Sequence, residues 1–254
     1  MPLPVLISYA NMGYIVFAKN LLLNLNATCH GYSVHFYCLD IDIKSILERL
    51  TLSNITVRFE LVEATVSKNF EKYGTNEYNK ITHTKMNILM KSLETYGFIH
   101  FIDCDVVCIS PPTESYWDRY TDKDIVFQYD AGFYSKDNPH WPLHHIWACT
   151  GNITLRNTFG TIHMLTKIIE YQEQYPGKND QECLYQYFKD NNITDIRLCE
   201  AAKLDTYPYQ EFTNGYWVGH DIGGIEKTYF FHANHVSGSS AKMNLLKKVG
   251  KWYL

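Results

Sequence analysis

The sequence predicts an α/β fold, a mostly parallel central sheet with helices on both faces, and two observations predict it. Short apolar runs alternate with stretches of helical spacing through the first half of the chain. That β-α-β-α-β-α-β order requires parallel strands joined by crossover helices. An acid pair, Asp103 and Asp105, directly follows one of the apolar runs, and ligands of such sheets collect outside the carboxyl ends of the strands.

Each element has its own signal. Val5–Tyr9 is a short apolar strand, and the stretch from Met12 through Leu23 behind it has helical spacing. Val34–Leu39 reads as a second strand, Asp42–Leu50 as a short helix whose acidic start complements its dipole, and Ile55–Val62 as a third strand. Ile81–Tyr96 places Ile81, Met86, Leu89, Met90 and Leu93 on one face and is closed by Gly97. Phe98–Ile102 then runs into the acid pair. The second half is less regular. Asp124–Tyr129 and Trp147–Leu155 read as strands, Thr158–Tyr175 as a helix stopped by Pro176-Gly177, and Asp180–Phe188 as another helix. Ile196–Cys199 and Thr228–Phe231 read as short strands and Lys242–Val249 as a terminal helix. With 254 residues and no repeat or linker, one domain is expected, its residues 1–110 a nucleotide half and 111–254 an acceptor half.

The composition is globular, 46% apolar and 20% charged, and a net charge of −4 gives no support to nucleic-acid or membrane-surface binding. Seven cysteines form an odd set without CxxC pairs, so they read as buried thiols in a reducing compartment. No run of 18 apolar residues and no signal peptide occurs, so the sequence is read as soluble and cytoplasmic, without a transmembrane segment, unless it is a domain cut from a longer chain.

Asp103 and Asp105 carry the chemistry. A strand end cannot keep unpaired carboxylates without a cation or donors. Hard oxygen ligands with open positions suit Mg²⁺ or Mn²⁺ carrying phosphates. Asp40-Ile-Asp42 has the same spacing, but a helix follows it at once, so helix capping explains it. No helix follows Asp105. Near the C-terminus, the strand Phe230-Phe-His232 leads through a small-residue loop with Gly238 to Lys242. A neutral imidazole at His232 would complete a metal site, the glycine would admit phosphates to backbone N–H groups, and the lysine would supply point charge.

These pieces resemble a GT-A nucleotide-diphospho-sugar transferase, Rossmann-like in its sheet. The resemblance is to the plant cell-wall xylosyl- and galactosyltransferase group, and more distantly to the glycogenin and galactosyltransferase type. It rests on Lys85, Phe101-Ile-Asp-Cys-Asp-Val-Val107, Asp124 through Asp130, Thr150-Gly151, Asp180-Gln181 and His232 through Lys242, in family order over nearly the whole chain. The resemblance implies that Asp103, Asp105 and His232 hold Mn²⁺ (or Mg²⁺), with Asp103 also near the ribose. Gly238 and Lys242 would bind the donor diphosphate, and Tyr9, Ala10 and Asn11 would line the base pocket. Lys85 would approach the phosphates or donor sugar, which Asp130, Gly151, Asp180 and Gln181 would surround. Where the family often has Asn two residues before the glycine, this chain has Cys149, with Asn152 the candidate substitute.

The implied partners are a nucleotide-sugar donor, UDP-linked by resemblance, and a glycan, protein or small-molecule acceptor. The resembling families transfer with retention, Asp180 or Gln181 steadying the sugar cation. An inverting enzyme would use Asp130 or Asp180 as base. Two other classes compete. Asp103-Cys-Asp-Val-Val also fits a haloacid-dehalogenase-type phosphatase, though it lies far from the first strand and no later acidic pair follows. A non-catalytic nucleotide-sugar-binding relative would not need the full set of Asp103, Asp105, His232 and Lys242. The loop with His140, His144 and His145 has no zinc-like spacing and reads as surface.

Overall fold

A computed structural model describes residues 2–130, 148–216 and 225–254. Its larger sheet has seven strands: β1 (Val5–Ala10), β2 (Ser33–Cys38), β3 (Thr56–Leu61), β4 (Phe98–Ile102), β6 (Ile125–Tyr129), β7 (Ala148–Arg156) and β8 (Leu204–Thr206). The order is β3-β2-β1-β4-β7-β6-β8, and β7 alone runs antiparallel to its neighbours. A second sheet of three strands is built from β5 (Val106–Cys108), β9 (Phe212–Asn214) and β10 (Phe230–His232), with β10 in the middle.

Helices cover both faces, as the pattern requires. On one face α1 (Ile15–Thr28), α2 (Ile41–Leu47) and the small sheet enclose Leu6, Ala10, Leu21, Phe36, Phe230 and Leu246. On the other, α3 (Asn76–Tyr96), α5 (Phe159–Gln174) and α6 (Asp180–Asp190) enclose Ile7, Tyr9, Leu89, Phe101 and Leu184. Alternate residues of β1 enter the two cores, the period of two expected of a strand buried on both sides. A four-residue helix, α4 (Glu114–Trp117), sits under the small sheet's aromatic core, and α7 (Ser239–Lys248) is the last helix of the described chain.

Local chemistry sets the ends. Asp40 is the N-cap of α2, its Oδ1 accepting from Asp42 and Ile43, which bears out the capping reading of this second acid pair. Thr75 caps α3, which starts at Asn76, earlier than the predicted Ile81, and Gly97 ends it in the left-handed region at φ 70°. Two expectations are corrected. Ile196–Leu198 is a 3-10 turn, not a strand, because the Asp195 side chain accepts from the Arg197 N–H, and the sheet's edge strand is β8. The predicted last strand begins late, at Phe230 rather than Thr228, after a 3-10 turn at Ile225–Lys227. Among the described residues no helix is long and apolar enough to cross a membrane. The histidine-rich loop and the first residue of the predicted Trp147–Leu155 strand lie outside the described residues.

The buried His100 should make the fold acid-sensitive. His100 of β4 stacks on Phe230 and bonds Asn152 through Nε2 and Thr154 through Nδ1. Burial depresses its pKa to about 3 from 6.5. The unfolded chain therefore binds the proton first as pH falls, so this stability is full above about pH 6.5 and is lost on the way down to pH 3. By pH 5 the loss from His100 alone is about 2 kcal/mol, or roughly 4–8 °C in Tm. Melting curves from pH 7 to 5 should show the drop, with a shallower slope in His100→Gln; equal slopes would refute it.

Candidate active site

The acid pair sits where the chain leaves one sheet for the other. Asp103 directly follows β4 with its N–H on the Gly151 carbonyl at 2.8 Å, and the Val106 N–H turns back to the Asp103 carbonyl at 3.0 Å. Between them Cys104 points inward, its thiol donating to the Tyr9 carbonyl. This tight turn sends both carboxylates to the same side. β5 then pairs antiparallel with β10, which sets His232 opposite Val106 and hence beside Asp105. The Ala233 N–H donates to the Asp105 carbonyl at 3.0 Å, and His232 Nε2 lies 3.3 Å from Asp105 Oδ1. One potential ligand atom from each of Asp103, Asp105 and His232 falls within 4.8 Å of the others.

The two carboxyls are electrostatically different. Burial raises the pKa of Asp105, but Lys242 and His232 outweigh it and hold the group well below the usual carboxylate range. Lys242, on the first turn of α7, pairs with Asp105 Oδ2 and donates to the Ala233 carbonyl. Asp103 is pushed upward by its enclosure and by Asp105, against the pull of Lys85. Its side chain keeps 31% exposure against 8% for Asp105, so Asp103 is the more open of the two carboxylates.

Lys85 ties this corner to helix α6. It is 2% exposed, lies 3.4 Å from Asp103 Oδ1 and 2.8 Å from Asp180 Oδ2, and donates to the Thr150 carbonyl at 3.3 Å. Burial disfavours its charge, yet the two carboxylates outweigh that and raise its pKa. Asp180 and Gln181 open α6, whose start is fixed by a capping box between Asn179 and Glu182. Gln181 accepts from the Thr150 N–H at 3.2 Å and donates to Asp130 Oδ2 at 2.6 Å. Asp130 also receives Tyr185 on Oδ2, with Asn234 and His235 on Oδ1.

A bulge in β7 makes these meetings possible. Phe127 pairs with Ile153 but the next residue, Gln128, pairs with Cys149, so residues 150–152 have no counterpart on β6. The loosened stretch turns the Thr150 N–H and carbonyl toward Gln181 and Lys85. Gly151 lies against Asp103 and His232: a Cβ there would sit 2.4 Å from Asp103 Oδ2 and 2.5 Å from His232 Cε1. The missing side chain keeps the space between the potential ligands clear, and two carboxylates with an imidazole are a donor set suited to Mn²⁺ or Mg²⁺. The residues fit a metal.

Other predicted residues fall nearby in different roles. Tyr9, Ala10 and Asn11 are buried at the end of β1; Tyr9 donates to the Ile81 carbonyl, and Asn11 Nδ2 donates to the carbonyls of Ser67 and Asn69. Gly238, at φ 85°, stands at the N-cap of α7 and brings no side chain over the helix's first N–H groups. Asn152 does not replace the missing family asparagine, because its Oδ1 is bonded to His100 in the interior. Sequence reasoning missed Tyr14, Tyr78, Gln128, Tyr185 and His235. The hydroxyls of Tyr14 and Tyr78 are raised in pKa by burial first and then by site carboxylates, Asp105 and Asp103 for Tyr14, Asp180 and Asp103 for Tyr78. Two had a readable signal: Gln128 lies on the strand that leads into Asp130, two residues before it, and Tyr185 is one helical turn beyond Gln181.

Residues 33–246 match the nucleotide-diphospho-sugar transferase family. The chain belongs to that family. The transferase resembles, over 97% of its length, a glycosyltransferase involved in the glycosylation of the major capsid of PBCV-1, with a TM-score of 0.59 at 12% identity and all of that chain covered. GlyE of Streptococcus pneumoniae TIGR4 gives 0.63 at 13% identity over 97% of this chain and 60% of its own. The bifunctional glycosyltransferase WbbM, in its apo structure, gives 0.60 at 12% over 98% and 50%. At such identities the likeness is one of fold, and it matches the predicted α/β architecture. No curated protein matches the chain. Family membership makes the transferase a glycosyltransferase with a nucleotide-sugar donor and an acceptor, and it displaces the phosphatase reading.

Proposed function

We propose that the transferase moves a sugar from a UDP-sugar to an acceptor hydroxyl with retention, in dependence on Mn²⁺ or Mg²⁺. The observation that carries this reading is the convergence of Asp103, Asp105 and His232 within 4.8 Å, on the side where Gln181 and Asp180 open α6. A divalent ion held there would supply positive charge to the donor diphosphate. Lys242 adds charge on the same side, and Gly238 leaves the first N–H groups of α7 open to phosphate oxygens. Tyr9, Ala10 and Asn11 would wall the base pocket from beneath.

Retention is supported by the state of the two candidate bases. Asp130 already accepts four hydrogen bonds, and Asp180 is locked on Lys85. Neither carboxylate is placed as a free proton acceptor. Asp130 instead orients Gln181, whose amide would face the sugar as positive charge develops at its anomeric carbon. Residues 1–110 would then serve the nucleotide and 111–254 the acceptor and diphosphate. A reducing, cytoplasmic setting is supported by the seven free, buried cysteines.

A thermal-shift screen of nucleotides and nucleotide sugars, with Mn²⁺ and with EDTA, tests the reading. UDP or one UDP-sugar should raise Tm with metal only; a ligand at one hundred times its Kd adds about 2.7 kcal/mol. A response equal in EDTA would remove metal dependence, and a preference for another nucleotide would remove UDP.

A further inference from the structure

Gln128 lies beside the proposed metal site without belonging to it. It is fully buried on β6, and its Nε2 donates to the carbonyls of Phe212, at 3.2 Å, and Thr213, at 2.7 Å. Those two bonds occupy both amide hydrogens, so the orientation of the amide is decided: its oxygen faces the other way. There Oε1 stands 3.1 Å from Nδ1 of His232. An amide oxygen can only accept, so Nδ1 must carry the hydrogen. In the neutral imidazole that a metal ligand must be, that leaves the lone pair on Nε2, the atom 3.3 Å from Asp105 Oδ1 and turned into the triad. The Cys149 sulfur, 3.5 Å from the same Nδ1, is a second and weaker acceptor. The register shift of β6 on β7 falls between Phe127 and Gln128 and puts Cys149 opposite Gln128.

We propose that Gln128 is a positioning residue: it fixes the tautomer and ring orientation of His232 so that Nε2 is presented as a metal ligand. The proposal rests on the metal reading above. It extends that reading because Gln128 touches neither ion nor substrate and acts through His232 alone. The competing role is purely architectural, since Gln128 also ties β6 to β9 between the two sheets.

The roles separate in the affinity for Mn²⁺ measured with UDP present by the electron paramagnetic resonance of the free ion. Gln128→Leu removes the acceptor at Nδ1 and should weaken Mn²⁺ binding about 10–100-fold. Gln128→Glu keeps an acceptor at Nδ1 while losing both donations to β9. A positioning role therefore predicts lowered Tm but Mn²⁺ affinity within a few-fold of the parent. Unchanged affinity in Gln128→Leu, or equal losses in both variants, would overturn the proposal. A parent protein that binds no Mn²⁺ would remove the metal reading and this inference together. Should either variant fail to fold, the parent decides it: with Mg²⁺ and UDP, the ¹⁵N spectrum of His232 should show the Nδ1–H tautomer, and an Nε2–H signal would refute the role.

Discussion

Asp105→Asn is expected to abolish metal-dependent donor binding and to slow sugar transfer about 10³-fold, on the scale of losing a principal electrostatic group at a transition state. The substitution keeps shape and removes one charge. It therefore strips an anionic ligand from the triad and leaves Lys242 without its carboxylate partner. Stability should fall too, in a pH-dependent way. The Asp105 pKa is depressed by Lys242 and His232 in spite of burial. A depressed carboxylate contributes stability at pH values above its unfolded pKa, near 4, and loses it as pH falls further. The parent should thus be more stable than Asp105→Asn at pH 7, with the gap narrowing below about pH 4. Titration calorimetry of UDP with Mn²⁺ checks the first claim. Parent-like binding by the variant would show that Asp105 is no metal ligand.

Lys85→Met should be the most destabilising single change at the site. It leaves Asp103 and Asp180 facing each other with no cation between them, and Asp180 is 3% exposed. Removing one member of a buried ion pair costs about 3–5 kcal/mol, and the lower end applies because Asp103 is partly solvated. In a protein of this size that is roughly 6–12 °C in Tm. Without the lysine the buried carboxyls take up protons more readily in the folded than in the unfolded chain. The deficit should then shrink as pH falls from 8 toward 5. Melts in EDTA at both pH values check this, and a variant that melts with the parent at pH 8 would show that Lys85 holds nothing together.

Much of this was legible in the sequence where a signal is local. The apolar run into Asp103 and Asp105 marks a strand end, the Asp40 pair precedes a helix it caps, and Gly97 stops α3 in a conformation that suits glycine. Such signals work because caps, turns and periodicities involve residues within a turn or two of each other. They failed at Ile196–Leu198, where an aspartate side chain competes with the sheet for the backbone. Asn152 failed for another reason: which face of β7 it occupies depends on the bulge beside it, and its partner His100 is far away in sequence.

By itself, then, the sequence determined the alternating fold, the places of its main elements and the identity of the acid pair, all consequences of short-range backbone and side-chain preferences. Only the tertiary structure decided what those acids meet. Pairing of β5 with β10 brings His232 to Asp105, Lys85 joins Asp103 to Asp180, and Gln128 reaches His232 across 104 residues. These contacts are made by strand register and by burial of charge, which bind distant segments together. No local pattern encodes them.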